Sequence, residues 1–196
     1  RQMCIRDSCY ANGSSIFAKS PEELTELKRL KLNTLYMGLE SGCQRVLDRF
    51  GKTEQADQMV LAVRRAQENG LKCSVMILIG LGGRELRQEH ITCTAAALNL
   101  MKPDLLSALR FIPVPGLVLP DGYTPVTEYE AVEELRRIIG SLELERTVFR
   151  ANHTSNPLPL AGRLPHDRQR LLTELTRELS SGTLDRNGPG AMPLYL

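Results

Sequence analysis

Short apolar runs alternate with longer amphipathic stretches over the first two thirds of the chain. Residues 34–39, 72–79 and 105–112 carry apolar side chains at both odd and even positions, which is typical of strands covered on both faces. The stretches between these runs repeat their apolar residues at helical spacing. This alternation predicts an α/β fold in which βα units surround a parallel sheet, with a further short strand near residues 9–12.

The clearest helix start lies at Ser20. Ser20 supplies an N-cap hydroxyl, Pro21 suits the first helical position, and Glu23 has the spacing of a capping-box carboxylate. Three more helices are predicted from periodicity and from terminating residues such as Gly70. They cover residues 44–50, 53–69 and 84–101.

The pattern changes after Leu119, where a linker containing proline and glycine begins. It is followed by a predicted helix over residues 127–142, a possible strand at 146–151 and a last helix that opens at residues 164–167 and runs to Ser180. The tail after Thr183 is predicted to be loose. Residues 119–196 are therefore interpreted as a mainly helical C-terminal extension.

Polar or glycine-rich segments follow three of the predicted strands. They are Glu40-Ser41-Gly42, Gly80-Leu81-Gly82-Gly83 and residues 111–116. Parallel α/β folds bind ligands at the carboxyl ends of their strands, and glycines let a ligand approach the main chain. Taken alone, the four-residue glycine loop is better explained as a tight strand-to-helix turn. For Glu40 the alternative to a ligand role is an acid that faces a helix N-terminus.

Composition narrows the range of functions. The net charge of +2 is spread over interspersed acids and bases, aromatic residues make up 5%, and tryptophan is absent, so nothing favours nucleic-acid binding. The longest apolar run, residues 75–81, is too short for a bilayer, and no signal peptide precedes it, so the expected compartment is the cytoplasm. The five cysteines lack paired spacing, which favours reduced thiols.

Residues 36–42, followed by Val46 and Leu47, resemble the fourth-strand segment of radical S-adenosylmethionine (SAM) proteins. The glycine loop and residues 112–116 are similar to the ends of that family's fifth and sixth strands. The likeness runs from about Phe17 to Gly116, and residues 149–156 and 164–167 resemble the C-terminal part of an uncharacterised branch. It implies a partial (β/α) barrel, assigned to residues 9–118.

The resemblance also implies a chemistry in which SAM binds a [4Fe–4S] cluster, accepts an electron from a donor and starts a radical reaction. Its substrate and catalytic residues are not identified by the resemblance. The resemblance places the cofactor contacts of this sequence at the three strand ends. Glu40 and Ser41 would contact the ribose or methionine part of SAM, and Ile112 and Pro113 would border its adenine. The residues that would flank SAM between them are Gly80, Leu81, Gly82 and Gly83.

The chain departs from the family in its cysteines. The family's C-x3-C-x2-C motif is absent, and Cys4 and Cys9 have the wrong spacing, so neither metal ligands nor a cluster are expected here. We therefore expect SAM and the cluster to act together only in a complete parent protein, of which this chain is an inactive C-terminal part. Residues 1–8 resemble the translation of an adaptor DNA sequence and are interpreted as a non-native leader.

Two other function classes remain open: a non-radical barrel enzyme, and a binding or interaction module that lacks a cluster. The polar loop at residues 152–156 contains a histidine, but turn chemistry explains its composition slightly better than a site. Cys43, Cys73 and Cys93 are expected to serve packing or capping. His90 and His166 are expected on helix surfaces.

Overall fold

The computed structural model describes residues 7–114 and 116–190, which contain one six-stranded sheet whose spatial order follows the sequence. The first five strands are parallel, and the sixth is antiparallel to the fifth. The predicted α/β class with a parallel sheet is thus confirmed. The strands are β1 (Asp7–Tyr10), β2 (Leu32–Glu40), β3 (Lys72–Ile79), β4 (Leu105–Arg110), β5 (Thr147–Ala151) and β6 (Leu160–Leu164).

Helices follow the strands at nearly all the predicted places. The main shift lies at the helix predicted from residue 84, which begins at Arg87 because residues 80–86 form turns and a bend. A five-residue helix after β1 was not predicted. The helices are α1 (Gly13–Phe17), α2 (Pro21–Arg29), α3 (Gln44–Arg49), α4 (Ala56–Glu68), α5 (Arg87–Met101), α6 (Glu128–Ser141) and α7 (Arg168–Ser181).

The predicted capping box of α2 is confirmed. Ser20 Oγ accepts from Glu23 N at 3.2 Å, and the Glu23 carboxylate accepts from Ser20 N at 2.7 Å. The same reciprocal arrangement joins Thr127 and Glu130 at the start of α6. An N-cap of this kind contributes about 1 kcal/mol, so both helix starts are fixed by local sequence.

The sheet is covered by helices on one face. In β2, Leu35, Met37 and Leu39 are at most 2% exposed, whereas Tyr36 and Gly38 between them and Glu40 after them are partly exposed. The prediction that these strands are covered on both faces was therefore wrong: the second face mixes polar residues such as Thr34 and Ser107 with apolar ones and stays partly open. The main core lies between the first face and the helices and includes Val75, Ile77, Leu106, Met59, Leu98, Ile138 and Leu171.

Residues after Leu119 take part in the same sheet. The possible strand at 146–151 is confirmed as β5, while β6 was missed. The tail prediction was wrong for residues 184–190, because Asp185 accepts from the backbone N–H groups of Asn187, Gly188 and Gly190, and Leu184 is buried. The two helices of this region pack against each other, and α6 also packs on α5.

Parts of the predicted leader and tail lie outside the described residues, namely residues 1–6 with Cys4 and residues 191–196. Asp7 and Ser8, which were assigned to the leader, lie in β1, where Ser8 pairs with Thr34. Within the described ranges, no helix combines the length and the apolar character that crossing a bilayer requires.

Candidate ligand site at the carboxyl edge of the sheet

The predicted site segments meet at one edge because the strands that carry them are parallel neighbours. Glu40 at the end of β2 is in register with Ile77 of β3, and Ile79 at the end of β3 is in register with Arg110 of β4. Phe111 N donates to Ile79 O at 2.8 Å, which holds the last two strand ends together. The three loops therefore form a continuous rim along the sheet.

Glu40 is a partly exposed acid of this rim and has an unusual backbone. Its φ is +60°, a conformation that a residue with a side chain seldom adopts outside constrained sites. Its carboxylate folds back over Gly38, where a Cβ would lie only 2.4 Å from Glu40 Oε1. Burial raises the pKa of Glu40, and the charge of Lys52 partly offsets that rise. Among the described residues, no hydrogen bond reaches this carboxylate.

Ser41 faces the protein interior. It is fully buried, its Oγ lies 2.8 Å from His90 Nδ1, and that oxygen accepts from Cys43 N at 3.0 Å. Ser41 N donates to Leu39 O at 2.6 Å, which closes a tight turn directly after the strand. The described partners of the Ser41 hydroxyl are thus protein groups that tie the turn to α5.

Gly80 begins the loop after β3 in a left-handed conformation, with φ +85°. Its N–H donates to Glu134 Oε1 at 2.6 Å, and its carbonyl accepts from Tyr123 Oη at 2.9 Å. Gly82 packs against His90, since a Cβ there would lie 2.8 Å from His90 Cβ. These requirements of conformation and packing support the tight-turn interpretation of the loop.

The rest of the glycine loop is also engaged with the protein. Gly83 has φ +61° and lies beside the Tyr123 ring, which a Cβ would approach to 3.0 Å. Leu81 is buried against Val46 and Leu86 in a small second core at this edge of the sheet. Leu81 therefore stabilises the loop through its side chain, and any ligand contact of the loop would come from its main chain.

His90 is a functional-site neighbour that sequence reasoning misplaced. It is fully buried, and its Nε2 lies 3.3 Å from Glu134 Oε1, itself fully buried. The surface prediction for His90 was wrong, whereas His166 has an 88% exposed side chain as expected. His90, Thr94, Leu98 and Met101 follow helical spacing, so the periodicity of α5 could have placed His90 on its buried face.

Apolar groups form the third part of the rim. Ile112 is buried, Pro113 is half-buried, and Phe111 meets Phe50 and Tyr123 edge-to-face with ring centroids 5.3 and 5.9 Å apart. Such pairs add about 0.5–1.5 kcal/mol to the burial of each ring. The arrangement gives this end of the rim a fixed apolar wall; Pro115 of the predicted segment lies outside the described residues.

The loop after β5 reaches the same edge. His153 Nδ1 lies 2.8 Å from Ser155 Oγ, which accepts from Arg110 N at 3.1 Å. Asn156 Nδ2 donates to the carbonyls of Ala108 and Ala151. These bonds close the ends of β4 and β5, so the loop's polar residues follow the turn interpretation; Ser155 is buried, Asn156 is half-buried and His153 is exposed.

The cysteines of the described region pack as expected for Cys43 and Cys73, which are buried. Burial raises the pKa of Cys73 to about 12, so this thiol stays protonated near neutral pH. Cys93 is half-buried and its pKa is also raised by burial. In residues 7–114 and 116–190, no group of three or more His, Cys, Asp or Glu side chains could hold a metal ion.

The family model of the radical SAM superfamily matches residues 5–91. Residues 5–91, called the radical SAM segment, are similar to that superfamily and make up less than half of the chain. The radical SAM segment extends from β1 into the first turn of α5, so it includes Glu40, Ser41, the glycine loop and His90. Ile112, Pro113 and Glu134 lie beyond it. No curated protein matches the chain in sequence.

A solved structure of another protein shares the fold, and two others were matched more weakly. An N-terminally deleted Elp3 from the archaeon Methanocaldococcus infernus is 13% identical, with a TM-score of 0.62 over 87% of this chain and 41% of that chain. Methylornithine synthase PylB is 17% identical, with a TM-score of 0.49 over 88% of this chain and 56% of that chain. HydG, a maturase of the [FeFe]-hydrogenase, is 18% identical, with a TM-score of 0.46 over 71% of this chain and 32% of that chain. The likeness to Elp3 confirms the partial (β/α) barrel. The chain spans less than two thirds of these proteins.

Proposed function

We propose that this chain forms the SAM-binding edge of a radical SAM enzyme, whose complete form cleaves SAM reductively to start a radical reaction on an unidentified substrate. One observation carries the proposal: Glu40 presents a carboxylate that accepts no hydrogen bond from the described residues, at a strand end with positive φ inside the radical SAM segment. Strained positions of this kind concentrate at ligand sites. A free carboxylate there can accept from ribose hydroxyls or from an ammonium group.

The proposed orientation of SAM follows the polarity of the rim. Its ribose or methionine part lies at Glu40, and its adenine lies against the apolar wall that begins at Ile112 and Pro113. Gly80 to Gly83 flank the ligand with their main chain. Ser41 acts indirectly, because its hydroxyl holds the turn that presents Glu40.

The residues present do not fit a [4Fe–4S] cluster. Thiolates at fixed spacing hold such a cluster, and the sequence has no C-x3-C-x2-C motif. The described region likewise offers no metal-ligating group. We therefore assign the cluster and its electron donor to a complete parent protein and expect no SAM cleavage by this chain alone. An anaerobic reconstitution with iron and sulfide should leave no cluster absorbance; a stable [4Fe–4S] spectrum would contradict this assignment.

Calorimetric titration of the purified chain with SAM tests the binding edge directly. We expect wild-type binding, and binding weakened about 10- to 100-fold in Glu40→Gln, because a hydrogen bond to a charged group contributes about 1.5–3 kcal/mol. Glu68→Gln is the matched control, since Glu68 is exposed at the end of α4. Equal affinity of Glu40→Gln and wild type would refute the role of Glu40. No wild-type binding would refute the binding edge and favour an interaction module.

A further inference from the structure

Gly80, the first residue of the glycine loop, is held on both sides by residues that lie beyond the radical SAM segment. Its N–H donates to Glu134 of α6, and its carbonyl accepts from Tyr123 in the segment before α6. Gly80 has φ +85°, so these two bonds fix a peptide orientation that the strand itself would not impose.

The Glu134 carboxylate that binds Gly80 also contacts His90, which lies beside Ser41. Glu134 Oε1 lies 3.3 Å from His90 Nε2, and His90 Nδ1 lies 2.8 Å from Ser41 Oγ. Glu134, His90 and Ser41 are each fully buried. A continuous line of polar groups therefore joins the loop after β3 to the turn after β2, and it passes through α5 and α6.

The contacts along this line differ in kind. Ser41 Oγ accepts from Cys43 N and also lies within hydrogen-bond distance of His90 Nδ1, and its hydroxyl can either donate to or accept from that nitrogen. The other ring nitrogen, Nε2, contacts Glu134 Oε1 at 3.3 Å without the alignment of a hydrogen bond. The Glu134 charge is balanced by Arg87, whose Nε lies 3.5 Å from Glu134 Oε2.

Burying these polar residues costs free energy, because the carboxylate and the imidazole lose their hydration. Apolar residues of similar volume would fill the same space without that loss. What it provides is a fixed relation between two backbone positions, Gly80 and the turn that carries Glu40 at φ +60°. Both positions border the proposed ligand site.

We infer that Tyr123, Glu134 and His90 are positioning residues of the SAM site, through which the C-terminal segment sets the shape of the glycine loop and of the Glu40 turn. The inference rests on the proposed function. It makes residues after Leu119 a part of the binding site, although none of the three needs to touch the ligand.

Two mild variants test this inference. Tyr123→Phe removes one hydrogen bond to Gly80 O and keeps the ring that packs on Phe50 and Phe111. His90→Asn can keep a polar atom near Ser41 but cannot reach Glu134. Tyr10→Phe, at a ring that is 80% exposed in β1, is the matched control for loss of a phenol.

The first measurement is amide hydrogen exchange of the glycine-loop peptide, residues 80–86, with the β3 peptide as internal reference. Tyr123→Phe should speed exchange of the loop about two- to tenfold, the range that one neutral hydrogen bond contributes, and should leave β3 unchanged. His90→Asn should speed exchange in both the loop and the turn at 40–43. Equal acceleration of loop and β3 would mean general destabilisation and would overturn the inference.

The second measurement is SAM titration of the same proteins under conditions where circular dichroism finds each one folded. Tyr123→Phe and His90→Asn should weaken SAM binding by about two- to tenfold, while Tyr10→Phe should not. Loosened loops with unchanged SAM affinity would overturn the positioning role. Failure of wild type to bind SAM would instead sink the proposed function, and the exchange data would still decide whether these residues set the two turns.

Discussion

Gly42 follows the turn at Glu40 and Ser41, and we predict that Gly42→Ala is strongly destabilising. Its φ is not in the left-handed region, so alanine is not excluded by backbone conformation. The obstacle is α5: a Cβ at Gly42 would lie 2.4 Å from Cys93 O and 2.7 Å from Thr94 Cα. Both are main-chain atoms in the middle of a helix, and neither can rotate away.

The size of the effect follows from these contacts. Carbon needs about 3.5–4 Å to a neighbouring heavy atom, so the end of β2 and α5 must separate by roughly 1 Å. Overpacking of this kind costs about 1–3 kcal/mol. The separation also stretches the 3.0 Å hydrogen bond from Gly42 N to Thr94 Oγ1, worth about 0.5–1.5 kcal/mol. Together these effects predict a loss of about 2–4 kcal/mol.

Urea unfolding followed by circular dichroism measures this loss, provided that the m-value stays unchanged. The control is Gly140→Ala in α6, where the nearest atom to a Cβ, Leu172 Cδ2, lies 4.0 Å away. There alanine should stabilise the helix by about 0.5–1 kcal/mol. A Gly42→Ala protein within about 0.5 kcal/mol of wild type would refute the steric argument, because surface-like tolerance is incompatible with a main-chain contact at this distance.

Two further predictions concern α6 and the ligand edge. Thr127→Ala removes the reciprocal cap of α6 and should lower the unfolding free energy by about 1 kcal/mol in urea titrations, with Thr173→Ala, exposed in α7, as a smaller control; equal losses would contradict a capping role. Since burial raises the pKa of Glu40 in the folded state, the contribution of this one residue to stability should be fully present below the ordinary carboxyl pKa and be lost as pH rises through the raised pKa. Glu40→Gln should therefore gain stability relative to wild type as pH rises from the ordinary carboxyl pKa through the raised pKa, and then level off; a difference that does not change with pH would contradict the shift.

Local sequence was sufficient for the elements whose signals are local. The apolar runs of β2, β3 and β4 and the Ser20 capping box predict their elements, because burial and capping depend on neighbouring residues. β6 was missed since Leu160-Ala161-Gly162-Arg163-Leu164 alternates only weakly, and its place is decided by pairing with β5 and by contact with α7. Such pairing partners are not visible in a local window.

For the candidate site, the positions of the loops could be predicted from the sequence, but the contacts of their residues could not. The parallel topology brought the three predicted loops to one edge, as strand ends in a parallel sheet must. The roles within the edge were not visible, because the partners of Gly80 and Ser41 lie 54 and 49 residues away in sequence. For His90 the helical spacing with Thr94, Leu98 and Met101 indicated a buried face of α5, but its polar side chain argued for the surface, and its partner Glu134 lies 44 residues away in sequence.

The two edges of the sheet differ in their openness to an additional strand. At β6, side chains of α7 and its N-cap occupy main-chain groups: Arg170 donates to Ala161 O, and Asp167 accepts from Arg163 N. At β1, all four side chains are exposed, and within the described ranges β2 is its only paired neighbour. An additional strand can therefore pair with the sheet at β1 more readily than at β6. Self-association of this chain at high concentration is expected to begin at β1, and Cys9→Lys should reduce it, because charged side chains on an edge strand disfavour pairing with another chain.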